Sequence, residues 1–242
     1  MSDGELDSDA VLPTCPVLAV DGPAASGKGT LARRLATQFD FAYLDTGKLY
    51  RAVGLKVLRT GGDPEDAEAA EAAARALDMT ELDDPALSGD EAASAASKVA
   101  AIDGVRQALL EFQRSFAAMP PEGKKGAVLD GRDIGTVICP AATAKLFVTA
   151  NVEVRADRRH KELLNRGETS IYPRVLEELK ARDARDMNRA SAPLKPASDA
   201  TVLDTSELDV EQAFAEALKI VGGKVQEALD ALAEDSGDPD LF

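Results

Sequence analysis

The feature that most constrains the fold is a short apolar run, Pro16-Val17-Leu18-Ala19-Val20-Asp21, that stops at a glycine-rich turn. A run of that length bounded by turn residues fits a strand buried on both faces of a parallel sheet. The turn reads Gly22-Pro23-Ala24-Ala25-Ser26-Gly27-Lys28-Gly29-Thr30, and Leu31, Leu35 and Phe39 follow it at helical spacing. Small residues let backbone N–H groups converge on an anion, and the helix N-terminus adds the positive end of its dipole. Lys28 then reaches the anion as a mobile point charge. A strand, such a loop and a helix in that order make a phosphate-binding loop at the carboxyl edge of a sheet.

The same alternation continues along the chain. Strands are expected at Phe41–Asp45, Ala127–Asp130, Lys145–Thr149 and Thr201–Asp204. Helices are expected at Lys48–Thr60, Val152–Asn165, Pro173–Ala190 and Val210–Ala233, with Arg166–Ser170 as a turn. The Ala-rich stretch from Glu65 to Met119 reads as helical, broken near Asp83-Asp84-Pro85 and Ser88-Gly89-Asp90, and Pro120–Gly126 as a loop. Strands alternating with helices imply an α/β fold of three layers, with a central parallel five-stranded sheet covered on both faces.

Charge and composition exclude several classes. Among the 242 residues, 28 basic against 43 acidic side chains give a net charge of −15, which repels nucleic-acid backbone and anionic lipid. Any phosphate must be held by a local basic pocket working against that field. The single histidine, His160, removes His-based metal centres and speaks against a His general base. Cys15 and Cys139 form no C-x-x-C pair, as suits a reducing cytoplasm. No apolar run approaches the roughly 18 residues of a transmembrane helix. The acidic start MSDGELDSDA lacks the basic character of a signal peptide, so a cytoplasmic location is expected.

The loop departs from the commonest pattern, because Gly29 stands between Lys28 and Thr30. This G-K-G-T ending resembles the nucleoside monophosphate kinases more than GTPases or motor ATPases. Three further blocks follow: Leu44-Asp45-Thr46-Gly47-Lys48-Leu49-Tyr50-Arg51, Asp130-Gly131-Arg132-Asp133-Ile134-Gly135-Thr136-Val137, and Arg182-Asp183-Ala184-Arg185-Asp186-Met187-Asn188-Arg189-Ala190. With Ala19–Pro23 they resemble the bacterial cytidylate kinase family, in that family's order and from about Val17 to Ile220. The resemblance implies transfer of the γ-phosphoryl group of ATP to CMP or dCMP, with Mg2+. It implies a P-loop core at 16–60 and 126–225, an inserted acceptor-binding region at about 61–125 and a lid at about 155–172. Residues 1–15 are expected to be a disordered leader, and 226–242 the end of the last helix with an acidic tail. A monomer is expected.

The residues support that chemistry in their own terms. Arg182, Asp186 and Arg189 stand at i, i+4 and i+7 on one predicted helical face, joined by Arg185. Clustered arginines repel unless an anion sits among them, and phosphoryl transfer needs such a clamp. Asp130 ends a strand where a carboxylate can hold hydrated magnesium, with Thr30 assisting. Arg155, Arg158 and Arg159 share a face just before the Arg166–Tyr172 turn, and Arg158 is the candidate to close over ATP. The resemblance places Thr46, Tyr50 and Arg51 against the acceptor nucleotide and Ser97 and Arg106 in a base-reading segment. Arg51 and Arg132 are plausible partners of the acceptor phosphate, since a guanidinium fork matches it bidentately. Asp133 would accept the cytosine amino group. One departure concerns the insert, which usually includes a small antiparallel sheet, whereas Leu82–Asp90 is short and lacks strand-like alternation.

Other readings fit less well. A GTPase-type switch would need an Asn-Lys-x-Asp guanine reader, which the chain lacks, and a dinucleotide oxidoreductase would need G-x-G-x-x-G. An aspartic protease could start from Asp45-Thr46-Gly47 and Asp204-Thr205-Ser206, but that fold is mostly β. Another P-loop small-molecule kinase (UMP/CMP, adenylate or shikimate kinase) is the alternative.

Overall fold

The computed structural model describes residues 15–236. Five strands form one all-parallel sheet: β1 (Val17–Asp21), β2 (Ala42–Asp45), β3 (Ala127–Gly131), β4 (Ala144–Thr149) and β5 (Thr201–Asp204), in the order β2-β3-β1-β4-β5. β1 pairs with β3 on one side, Val20 opposite Asp130, and with β4 on the other, Val20 opposite Leu146. Every β1 residue is buried, as the apolar run Val17–Val20 requires, and Asp21 is buried with it.

The alternation of strand side chains splits the interior into two layers. Leu18 and Val20 face helix α1 (Lys28–Phe39) and helix α8 (Val210–Ser236), through Leu31, Leu35, Ala217 and Val221. Val17 and Ala19 face the other way, towards helix α5 (Asp103–Ala118) and a π-helical turn, Ile134–Ile138, through Ala117, Ile134 and Ile138. These are the three layers expected from sequence.

Helix α2 (Thr46–Arg59) leaves the carboxyl end of β2 and packs against α3 (Ala67–Arg75), α4 (Asp90–Val99) and α5 around Leu49, Val53, Val57, Val99 and Val105. Between α3 and α4 lie two 3-10 turns, Met79–Asp83 and Pro85–Ser88, each opened by an aspartate cap, Asp78 or Asp84. Among the described residues no strand lies between β2 and β3, so the regular structure of this region is all helical. Helices α6 (Val152–Asn165) and α7 (Tyr172–Met187) form an antiparallel pair that buries Ala156, Leu163, Val175 and Leu179 against Ala24 of the glycine-rich loop.

Several helix ends differ from the sequence expectation, and α8 runs on to Ser236 rather than stopping at Ala233. α2 begins at Thr46, directly after β2, and α7 stops at Met187 rather than Ala190. The chain turns there through Ala192, at φ 47, ahead of Pro193, and the Leu194 N–H returns to the Asp186 carbonyl at 2.8 Å. Proline cannot continue the helix, and the residue before it is pushed out of helical geometry. The leader at 1–14 and the tail at 237–242 lie outside the described residues.

Candidate active site

β1 delivers the glycine-rich loop to the carboxyl edge of the sheet. Gly22 adopts φ 150, and a Cβ there would fall 2.0 Å from the Val148 carbonyl oxygen of β4, so only glycine fits. Gly27, at φ 89, caps α1, and its carbonyl accepts the Thr30 N–H at 3.1 Å. Lys28 is the first residue of α1. The loop's outer side is tied down by two arginines of α6. Arg155 donates to the Ala24 carbonyl at 3.1 Å and pairs with Asp183 of α7. Arg158 donates to the Thr205 carbonyl at 2.6 Å and reaches the Ser26 carbonyl at 3.5 Å, while Thr205 Oγ1 donates to the same Ser26 carbonyl at 3.0 Å.

β3 delivers Asp130, which is 4% exposed, to a place opposite the loop. Its Oδ1 lies 3.5 Å from Lys28 Nζ, and its Oδ2 accepts the Tyr43 hydroxyl of β2 at 2.9 Å. A Cβ on Gly29 would stand 3.0 Å from Asp130 Oδ2. The G-K-G-T departure thus has a steric reason, since a larger residue directly after Lys28 would crowd this carboxylate. Thr30 is exposed and lines neither cleft described below, so beside Lys28 the residue of α1 that faces Asp130 is Gly29.

Lys28, Arg51, Arg132 and Arg182 converge beside Asp130 and line a cleft of about 560 Å³, roofed by α6 and α7. Burial, with the Arg132 charge second, pushes Lys28 down to about 8. The same two causes push Arg182 down to about 9. Arg182 Nε is buried without a partner, as is Nη2 of Arg189. An unpaired buried donor costs about 1–3 kcal/mol, so such donors in a cationic cluster mark a place for an anion. Arg159 of α6 also lines this cleft and pairs with Asp90 of α4, while Arg166 donates to the Ser88 carbonyl at 2.8 Å. Both contacts join the α6–α7 pair to the helical insert. Arg158 does not line the cleft, because its guanidinium is turned to Thr205.

A smaller recess of about 50 Å³ adjoins it, lined by Thr46, Tyr50, Ser97, Arg106, Asp133 and Asp186 among others. Arg106 and Asp133 form a buried ion pair, and Arg106 also donates to the Tyr50 hydroxyl at 3.5 Å. Burial pushes Arg106 down, but Tyr50 and Asp133 outweigh it and hold it above its ordinary value. Ser97 Oγ donates to Asp186 Oδ1 at 3.2 Å, Arg132 Nε donates to Asp186 Oδ2 at 3.0 Å, and Arg185 Nε reaches Ser97 Oγ at 3.3 Å. Burial pushes the Asp186 carboxyl up, yet Arg132, Arg182 and Arg189 together keep it below its ordinary value. Arg189 lies beyond the end of α7 and reaches back, through Nε to the Asp186 carbonyl at 3.3 Å. Thr46 Oγ1 donates to the Asp130 carbonyl at 2.8 Å, and Arg51 stands 3.7 Å from Asp45.

The structure thus brings together Lys28, Arg51, Arg132, Arg182 and Arg189 with Thr46, Tyr50, Ser97, Arg106, Asp130, Asp133 and Asp186. Thr30 and Arg158 stand apart from them. Sequence reasoning missed Tyr43, which holds Asp130. The only signal for it was its place in β2, two residues before Asp45, and parallel pairing has no signature in local spacing.

An all-parallel sheet, a phosphate loop after its central strand and a buried arginine cluster across the cleft define a P-loop kinase. Residues 18–222 match the family model for cytidylate kinase, and the chain belongs to that family. It is 64% identical over 208 residues to the cytidylate kinase of Paramagnetospirillum magneticum, covering 86% of this chain and 98% of that one. It is 61% identical to the cytidylate kinase of Rhodospirillum rubrum (87% and 99% covered). Identity to that of Xanthobacter autotrophicus is 60% (85% and 96% covered).

Proposed function

We propose that the chain transfers the γ-phosphoryl group of ATP to CMP or dCMP, giving ADP and CDP or dCDP. The observation that carries this reading is the buried, partnerless Nε of Arg182 beside Lys28 and Arg132, next to a recess closed by the Arg106–Asp133 pair. The cluster suits two sets of phosphates meeting in one cleft, and the recess suits a base.

The Gly22–Thr30 loop (Gly22, Pro23, Ala24, Ala25, Ser26, Gly27, Lys28, Gly29, Thr30) holds the donor phosphates, with Lys28 on the β- and γ-phosphates. Arg159 and Arg166 of the lid close the donor side, and Arg158 acts on the donor through the loop carbonyl it holds. Arg51 and Arg132 take the acceptor phosphate, while Arg182 and Arg189 meet the charge that spreads over the phosphoryl group during transfer. Asp186 and Ser97 hold Arg132 in place. The acceptor phosphate is already ionised at neutral pH, so no protein base is needed. Catalysis rests on positioning and electrostatic stabilisation.

Asp130 is suited to magnesium. Among the described residues no group of three or more acidic, His or Cys side chains could cage a metal alone. A single buried carboxylate, steadied on one oxygen by Tyr43, fits an ion that keeps several waters and takes phosphate oxygens. Magnesium held by Asp130 would supply positive charge against the donor phosphates.

For the base, Asp133 accepts the cytosine amino group and Arg106 donates to its acceptor edge. Their mutual bond leaves capacity on both, since a guanidinium has five donors and a carboxylate about four acceptor sites. Uracil reverses both edges and leaves buried groups mispaired. This favours CMP over the alternative small-molecule kinases. A monomer is proposed, and among the described residues no helix is long and apolar enough to cross a membrane. A cytoplasmic location is proposed with the rest.

The test is a panel of CMP, dCMP, UMP, AMP and shikimate with ATP and Mg2+, read as ADP release. CMP and dCMP should be the efficient acceptors. Preferred use of AMP or shikimate would overturn the reading.

A further inference from the structure

We propose that Asp21 is a positioning residue for base recognition: it caps the Ile134–Ile138 turn in place of Asp133, which leaves the Asp133 carboxylate free to face Arg106. The inference rests on the reading of Asp133 and Arg106 as the base-reading pair.

The first N–H groups of any helical turn have no partner within it, and an aspartate just before the turn ordinarily folds back to accept them. Asp133 has that position and that side chain. It makes no cap bond, its backbone sits at φ −146 and ψ 23, and its carboxylate is paired with Arg106 instead. The cap comes from elsewhere. Asp21 Oδ1 accepts the Ile134 N–H at 2.8 Å, and Oδ2 accepts the Gly135 N–H at 2.8 Å. Both bonds reach across more than a hundred residues of chain, from the end of β1 to the turn after β3.

The surroundings are built for this contact. Asp21 is 4% exposed and lies opposite Gly131 in the ladder, two residues before Asp133. A Cβ on Gly135 would stand 3.5 Å from Asp21 Oδ2 and 3.0 Å from the Lys145 stem, so glycine lets the turn press onto the carboxylate. Burial pushes the Asp21 carboxyl up to about 7 while its two N–H bonds pull it down. None of the phosphate-binding roles proposed above uses it. Asp21 also precedes Gly22 directly, so the strand end that launches the donor loop fixes the acceptor reader as well.

Without the surrogate cap, the Asp133 carboxylate stands at the ordinary cap position for the freed N–H groups, and swinging onto them would break the Arg106 pair.

The test is a double-mutant cycle with D21N and D133A, measuring kcat/KM for CMP and for UMP and KM for ATP. Asn keeps the shape but turns an amino group towards one of the two N–H donors. D21N should lower the CMP/UMP ratio by about tenfold or more, the scale of one base contact, with KM for ATP nearly unchanged. In the D133A background D21N should change the ratio no further, because both act through one carboxylate. An unchanged ratio in D21N beside a collapsed ratio in D133A would overturn the proposal, as would additive effects. An unchanged ratio in D133A would instead sink the base reading and this proposal with it. If D21N does not fold, D21E carries the same readout, since it keeps the charge and displaces the turn; a wild-type ratio in D21E would overturn the proposal.

Discussion

Replacing Arg182 by methionine should make the ligand-free protein more stable and the enzyme far slower. Burial and the Arg132 charge bring Arg182 down from its ordinary value to about 9. At about 1.4 kcal/mol per tenfold, holding this group charged in the folded site carries a penalty of at most about 5 kcal/mol. The folded-state value is depressed for a basic group, so the penalty is present in full below about pH 9 and fades only as pH rises further towards the ordinary arginine value. Methionine keeps most of the apolar stem and removes the charge. It also leaves some empty space, which returns about 2–4 kcal/mol. The net expectation is a stabilisation of about 1–3 kcal/mol, a rise in Tm of roughly 2–4 °C per kcal/mol at this chain length. Turnover should fall by about 10²–10⁴, the scale of one electrostatic contact with the transferring group. Scanning calorimetry at pH 7, with and without ATP and CMP, reads both sides, since bound nucleotides should raise the Tm of the wild type more than that of the variant. A lower Tm for the ligand-free variant, with turnover intact, would refute the reasoning and make Arg182 part of a structural ion-pair lattice.

Further outcomes follow from the same geometry. Lys28→Met should lose about 10²–10⁴ in kcat while staying folded, measured by ADP release and circular dichroism. Lys28 sits near 8 in the free enzyme, so kcat/KM for ATP should fall as pH rises through about 8 and the ammonium loses its proton, while kcat at saturation should hold to higher pH because bound phosphate favours the charged form. Gly29→Ser should crowd the Asp130 carboxylate and raise the half-saturating Mg2+ concentration several-fold with little change in fold stability, read by a magnesium titration of the rate. Asp133→Ala should cost roughly 1–3 kcal/mol in CMP efficiency and narrow the CMP/UMP gap, read from kcat/KM on both nucleotides.

Much of this arrangement was legible in the sequence because it depends on local order. The run Val17–Asp21 ending at Gly22 fixes the central strand and the loop, and the strands at 42–45, 127–131, 144–149 and 201–204 each announce themselves by short apolar runs bounded by turns. Helical spacing placed Arg182 and Asp186 on one face. Arg189 reached the site for a different reason, since α7 ends at Met187 and the turn before Pro193 brings the side chain back. Contacts across the sheet were not legible. Tyr43 holds Asp130 because β2 and β3 pair in parallel, and Asp21 holds the 134–138 turn from a strand more than a hundred residues earlier. Spacing also could not decide which of the α6 arginines faces the cleft. Arg158 and Arg159 are neighbours, yet one is turned to Thr205 and the other to Asp90. Nor could the loop motif alone show that Gly29, not Thr30, faces the carboxylate at the metal position.

The central claim is that this cleft passes phosphate from ATP to a cytidine nucleotide chosen by its base. The most direct measurement gives the wild-type protein equal amounts of CMP and UMP with γ-labelled ATP and Mg2+, and follows the label at early times. The account predicts label on the β-phosphate of CDP almost alone, matched one for one by ADP. Equal labelling of UDP and CDP, or label released as free phosphate with neither formed, would contradict it.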